Sequence, residues 1–170
     1  MWDSPALVAA CLLLAVALAA AAYRRLSKPR VDLLREWEEQ GLLESTEYKA
    51  TRAFQLEEWE DEGLHFFLEL EDGSVLYLNG QYLYEYEEIV DDVEVPIPRR
   101  FPCTDFTVKR HRRSGDLADL ICRGDAFEPE TVAPPFDDAE YRRGAVPEDG
   151  QVIRDRSYDE IKRERLARAR

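Results

Sequence analysis

Two histidines and three cysteines are the whole supply of neutral-pH acid–base groups and soft metal ligands in 170 residues. His65 and His111 fall in separate predicted hairpins and in no recognised motif, so His65 reads as a half-exposed strand residue and His111 as part of a basic surface strip. No two cysteines stand two residues apart, which excludes the common zinc arrangements. A phosphate-cradling glycine loop, a nucleophile elbow and a helical HExxH are missing too. Asp61-Glu62 and Asp91-Asp92 lack the alternating oxygen ligands of a calcium loop and read as solvated charge. With 36 acidic residues in the chain, no chosen carboxylate pair is informative. The expectation is therefore no metal and no cofactor.

Positive charge is also scarce. Lys and Arg number 23 against those 36 acids, a net charge of −13, which argues against nucleic acid as a partner because such binding is driven by counterion release from a basic face. The imbalance is uneven along the chain. Glu36 to Pro98 holds 19 acids against Lys49 and Arg52, whereas Arg99 to Arg113 holds six basic residues against Asp105 alone. Neighbouring strands that neutralise each other account for this pattern; a strip pairing with an acidic partner or anionic headgroups is the alternative.

Apolar residues make up 45% of the chain and aromatics 11%, enough to build a packed interior and to exclude global disorder. The longest apolar run, Ala6 to Ala22, is seventeen residues without a charge. As a helix it spans about 26 Å, close to the hydrocarbon thickness. Trp2 and Tyr23 bracket it, and Arg24, Arg25, Lys28 and Arg30 follow. Positive charge after the run, with little before it, predicts an N-terminus outside and the rest in the cytoplasm, as in a bacterial inner-membrane protein. A cleaved signal peptide is the competing reading; the charge order opposes it. Nine of the seventeen residues are alanine; small pairs such as Ala6 with Ala10 would let two helices approach as a homo-oligomer, although an alanine-rich run also produces such pairs by chance.

Four segments follow: a membrane anchor over 1–23, a basic juxtamembrane stretch and connecting helix over 24–46, a β-rich domain over 47–128, and a proline-punctuated segment with a final helix over 129–170. The expected class is α+β, mainly β, with a small antiparallel sheet or partly open barrel and short flanking helices. Val31, Leu33, Leu34 and Trp37 have helical spacing, with Gly41 as the cap. Tyr48 to Glu57 alternates as a strand, interrupted at Arg52 and Ala53. Asp72-Gly73 and Asn79-Gly80 predict two-residue hairpin turns in a three-stranded meander over Leu64 to Glu87, with Leu68 opposite Tyr77, Tyr77 opposite Tyr82 and both faces needing cover. Thr104 to Arg113 and Leu117 to Arg123 form a second hairpin about Ser114-Gly115-Asp116. Ser157 and Glu160 form a capping box for the last helix.

That second hairpin register places residue 107, not 103, opposite Cys122. An offset of four residues is about 13 Å, too far for a disulfide, so two free thiols are expected. Cys11 lies in the apolar run and packs as a small apolar residue. Most of the crowded aromatics read as core, but Tyr84 and Tyr86, beside Glu85, Glu87 and Glu88, together with Arg110, Arg112 and Arg113, are the candidate partner-binding residues. The leading expectation is a protein-binding or scaffold module held at the membrane by residues 6–22. The alternative is an enzyme, or an accessory subunit of one, with a site between the two hairpins that uses Cys103, His65 or His111.

Overall fold

A sheet with apolar side chains on both sides needs cover on both, and the C-terminal third of this chain supplies much of it. The computed structural model describes residues 30–58, 63–88 and 96–168. Helix α1 (Arg30–Glu39) leads into β1 (Leu43–Leu56), β2 (Leu64–Leu70), β3 (Val75–Gly80), a single 3₁₀ helix over Gln81–Tyr86, β4 (Asp105–His111), β5 (Leu117–Cys122), β6 (Val132–Ala133), α2 (Asp138–Arg142), β7 (Val152–Ile153) and α3 (Tyr158–Ala167). The fold is mainly β: one open sheet in the order β5-β4-β1-β2-β3-β7, with β6 added beside β1. The pairings of β2 with β1 and β3 and of β3 with β7 are antiparallel, whereas β6 runs parallel to β1. No helix among the described residues is long and apolar enough to cross a membrane, and the run Ala6 to Ala22 lies outside them.

The chain divides into two compact units. One takes the described residues up to Glu44 together with Arg110–Asp119. In it α1 ends as its sequence demands: Gly41 takes φ 65°, Leu42 N–H reaches the Trp37 carbonyl at 2.8 Å and Gly41 N–H that of Glu38 at 3.0 Å, the paired bonds of a Schellman cap. The turn after β4 forms about Gly115, whose φ of 78° is costly for any other residue.

The other unit holds Ser45–Lys109 and the chain from Leu120 onward. Here β1 pairs with β2 through Phe54 opposite Phe67, with an irregularity between Ala50 and Arg52. Thr51 is the extra residue of a bulge, the cause of the broken alternation in the sequence. The turn at Asp72-Gly73 forms but encloses three residues, because Leu70 N–H bonds the Ser74 carbonyl at 2.8 Å and Gly73 sits at φ 81°. Asp72 accepts from Ser74 N–H at 3.0 Å and from its hydroxyl at 2.5 Å, favouring the longer loop. The register therefore slips by one from the two-residue expectation: Phe67 faces Tyr77 and Leu68 faces Leu76. Such a slip moves every β3 side chain to the opposite face relative to β2.

The second turn, at Asn79-Gly80, is not a hairpin. Beyond β3 the chain coils into the 3₁₀ helix, so Tyr77 never meets Tyr82 across a strand pair. The free edge of β3 is taken instead by residues 149–153. Tyr77 N–H bonds the Gln151 carbonyl, Gly150 N–H bonds the Tyr77 carbonyl, and Asp149 accepts from Asn79 N–H at 2.9 Å. With those backbone groups satisfied, no ladder remains for a third meander strand.

One sheet face buries Phe54, Leu56, Phe67, Val75 and Tyr77 under Phe136, Tyr158 and Ile161. The rings of Phe54 and Phe67 stack at 4.9 Å, and Phe67 lies 4.8 Å from Tyr77. Elsewhere Phe101 packs edge-on to Phe66 at 5.6 Å and to Phe106 at 5.3 Å. Both small C-terminal helices begin with capping boxes, Asp137 with Glu140 and Ser157 with Glu160; the first was not foreseen, the second was.

These caps make the C-terminal helices acid-sensitive. The Glu140 backbone N–H holds the Asp137 carboxyl below the usual range, the Ser157 backbone does the same for Glu160, and the Arg52 guanidinium does so for Asp159. A depressed folded-state value contributes stability above the unfolded carboxylate range of about 4, and that contribution is lost as pH falls through the folded value. Burial raises Glu87 and opposes the trend. Far-UV circular dichroism and thermal melts from pH 7 to pH 2 are expected to show a flat Tm to about pH 5 and a fall below pH 4. A Tm that rises on acidification contradicts the assigned caps.

Candidate functional site

A cavity of about 110 Å³ lies in the larger unit, between α2, α3 and the sheet face carrying Phe67. Its apolar side is Phe67, Phe136, Ile153 and Ile161. Its charged side is Glu140 from α2, Glu164 and Arg165 from α3, Arg168 just beyond, and Arg143 and Arg156 from the flanking chain. That is far below the roughly 300–1,000 Å³ of a pocket for a cofactor or drug-sized ligand. What it fits is one small polar group.

The wall is organised by one carboxylate. Glu140 is a capping-box residue, and its Oε2 accepts from Asp137 N–H at 3.0 Å. Its Oε1 lies 2.6 Å from Arg165, 2.6 Å from Arg168 and 3.9 Å from Arg143. Three cations thus share the Glu140 carboxylate, and Arg168 also lies 3.9 Å from Asp137. Arg156 is held by Glu164 at 2.5 Å. The guanidinium of Arg165 is 5% exposed, donates to the carbonyls of Pro134 and Pro135 and lies over the Phe136 ring at 4.2 Å. Its Nε is buried without an acceptor, an unpaired donor of the kind proteins seldom leave. Burial lowers the Arg165 pKa, with Glu140 opposing. The arrangement gathers guanidinium groups around the Glu140 carboxylate at the cavity wall.

The sequence singled out other residues. Tyr84 is 37% exposed on the 3₁₀ helix, its hydroxyl against Glu58. Tyr86 is buried, with its hydroxyl donating to the Leu120 carbonyl at 2.6 Å and Arg100 over its ring at 4.9 Å. It serves packing and presents no surface to a partner. In the smaller unit Arg110 donates to the Gly115 carbonyl and Arg112 to that of Leu43, while Arg113 is exposed at the turn. The two tyrosines and three arginines therefore lie in different units, Tyr84 and Tyr86 in the larger, and neither group lines the cavity. Asp61-Glu62, Asp91-Asp92 and Cys11 lie outside the described residues.

His65 is a correction. It is buried rather than half-exposed, with Nδ1 hydrogen-bonded to the Tyr77 hydroxyl at 2.6 Å and the ring 6.3 Å from Phe136. Burial pushes the Tyr77 phenol well above its ordinary value, so this contact is core satisfaction. His111, in the smaller unit, packs on Trp37 at 5.1 Å.

Cys103, buried, and Cys122, half-buried, are both free, as expected. The ideal register fails beyond β4 because the Asp105 carbonyl accepts from both Arg123 and Gly124 N–H, a bulge that displaces the two strands. A Cβ on Gly124 would lie 2.2 Å from the Thr104 hydroxyl, so the close approach needs glycine. Past the bulge Cys103 pairs with Ala126 in backbone register, while its thiol turns back to donate to the Asp105 carbonyl at 3.4 Å.

Comparison of the chain with protein-family models, curated proteins and solved structures finds no match in any of the three. The class that fold and site define is an open-sheet, mainly β protein with an arginine-walled cavity under its C-terminal helices.

Proposed function

We propose that this chain is a single-pass, membrane-anchored cytoplasmic module that binds a protein partner, and that the arginine-walled cavity receives an acidic group of that partner. One observation carries the reading: four guanidinium groups and two carboxylates line the cavity, so its wall is net positive in a chain of net charge −13. Complementary charge of this kind selects a partner and speeds its approach. The cavity size favours a single carboxylate offered by a larger molecule over a free metabolite. The membrane half of the reading rests on Ala6 to Ala22 and the cations that follow.

The test is affinity purification of the full-length protein from membranes, with partners identified by mass spectrometry and orientation read from a C-terminal reporter. Wild type is expected to capture a stable partner, and the double substitution Arg143→Ala, Arg156→Ala to cut recovery at least tenfold, because both groups are more than 40% exposed and line the cavity. Each good charge-assisted contact is worth about 1.5–3 kcal/mol. Recovery unchanged by the double substitution, or no partner together with turnover in an activity screen, rejects the reading; a reporter on the outer side rejects the orientation.

A further inference from the structure

The cavity has two unlike walls, and the proposed function draws only on the charged one. We propose that the acidic group it receives is the C-terminal α-carboxylate of the partner chain, carried on a last residue with a small apolar side chain. This inference rests on the reading of the cavity as a site for an acidic group of a partner.

Three observations support it. First, the charge of the wall suits a monoanion. Arg143, Arg165 and Arg168 lie within ion-pair distance of Glu140, Arg168 also of Asp137, and Arg156 of Glu164. Three carboxylates thus face four guanidinium groups, and the one positive charge left over is matched by a carboxylate and exceeded by a phosphate near −2.

Second, donors are at hand for an arriving oxygen. The Arg165 Nε is buried without an acceptor among the described residues. Arg143 is 57% exposed and stands 3.9 Å from Glu140, beyond hydrogen-bond distance. Glu164, which holds Arg156, is 63% exposed, so displacing it from that guanidinium gives up only a solvated pair of small worth. An incoming carboxylate then has a planar fork of donors to accept from, the geometry in which arginine binds carboxylates best.

Third, hydrocarbon lies beside the guanidinium groups, because Phe67, Phe136, Ile153 and Ile161 line the same cavity of about 110 Å³. An α-carboxylate is bonded directly to the carbon that carries the last side chain. A terminal alanine or valine therefore presents anion and methyl groups together, and both walls are used at once. An aspartate or glutamate within a chain offers its carboxylate on methylenes alone and leaves two flanking peptide groups at the mouth of the cavity.

The experiment uses the full-length protein, immobilised in uncharged detergent and exposed to N-acetylated hexapeptides with mixed uncharged residues at the first positions. One set ends in alanine, valine or leucine as the free acid, a second set is the same peptides as amides, and a third is amidated and ends in glutamate. Retained peptides are counted by mass spectrometry. The free acids are expected to be enriched roughly tenfold or more over both amidated sets. That preference is expected to fall below about twofold on the Arg143→Ala, Arg156→Ala variant and to weaken in about 0.5 M salt. Both arginines are exposed, so the variant is expected to keep the wild-type Tm, and the comparison of acid with amide on wild type needs no variant. Equal retention of acid and amide, or displacement of the free acids by an equal concentration of inorganic phosphate, overturns the inference. Retention of the glutamate set in place of the free acids, lost with the two arginines, overturns the terminal carboxylate but leaves the cavity a site for an acidic group. Retention that the arginine substitutions leave unchanged overturns both. No enrichment of any set overturns the inference, and the affinity purification then decides the broader reading by itself.

Discussion

Substituting Glu140 with alanine is expected to cost about 3–5 kcal/mol of stability, the usual result of removing one member of a buried ion pair. The Glu140 and Arg165 side chains are 4% and 5% exposed and 2.6 Å apart. Without the carboxylate the Arg165 guanidinium stays under Phe136 and the proline carbonyls with its charge uncompensated, and Arg168 and Arg143 add to the repulsion. The same substitution removes half of the α2 capping box, which adds to the loss. Urea denaturation of the variant against wild type measures the difference. Replacing both Glu140 and Arg165 with leucine is expected to recover much of it, since the uncompensated charge then disappears along with its partner. A single-variant loss under 1 kcal/mol would mean the pair is solvated and the cavity wall is not as described.

The second large effect is expected at Phe67. Its side chain is 2% exposed, stacks on Phe54, contacts Tyr77 and reaches Phe136 at 6.4 Å. It also floors the cavity. Phe67→Ala is expected to destabilise the protein by about 3–5 kcal/mol, as large-to-small core changes do. For a folded part of this size that is a fall in Tm on the order of 10–20 °C. Leu70, at the edge of the same strand, is 8% exposed, and its alanine variant serves as the contrast, with an expected cost nearer 2 kcal/mol because its site can relax toward solvent. Equal losses at the two positions would show that the aromatic stack is not the centre of the core.

How much of this was legible depends on the range of the interaction concerned. Helix α1 with its Gly41 cap, the interruption of β1 at Arg52, the hairpin about Gly115 and the Ser157 capping box were all read from residues within a few positions of each other. The Asp72-Gly73 turn was located but its length was not, since the Ser74 side chain and backbone bonds to Asp72 decide between two and three loop residues. One residue of loop was enough to exchange the neighbours of Tyr77. The Asn79-Gly80 hairpin failed for a different reason: the edge of β3 was claimed by Gly150 and Gln151, about 70 residues away, and nothing near Gly80 announces that competitor.

The cavity was likewise out of reach. Glu140, Arg143, Arg156, Arg165 and Arg168 looked like ordinary members of a charged tail, and only the folding of that tail back onto Phe67 gives them one focus. The sole local signal was the pairing of Asp137 with Glu140 at capping-box spacing, which marks a helix and hence a reason for the chain to return to the sheet. His65 was misjudged because the register slip places it opposite Asn79 and within reach of the Tyr77 hydroxyl.

By itself the sequence determined what hydrogen bonds and apolar periodicity over ten or fifteen residues can determine: a mainly β protein with capped helices and both sheet faces in need of cover. The tertiary structure alone decided which segments supplied the cover and where the arginines converged. Those outcomes depend on competition between distant backbone groups for the same strand edge, and on single-residue changes of loop or bulge that shift the register of everything beyond them.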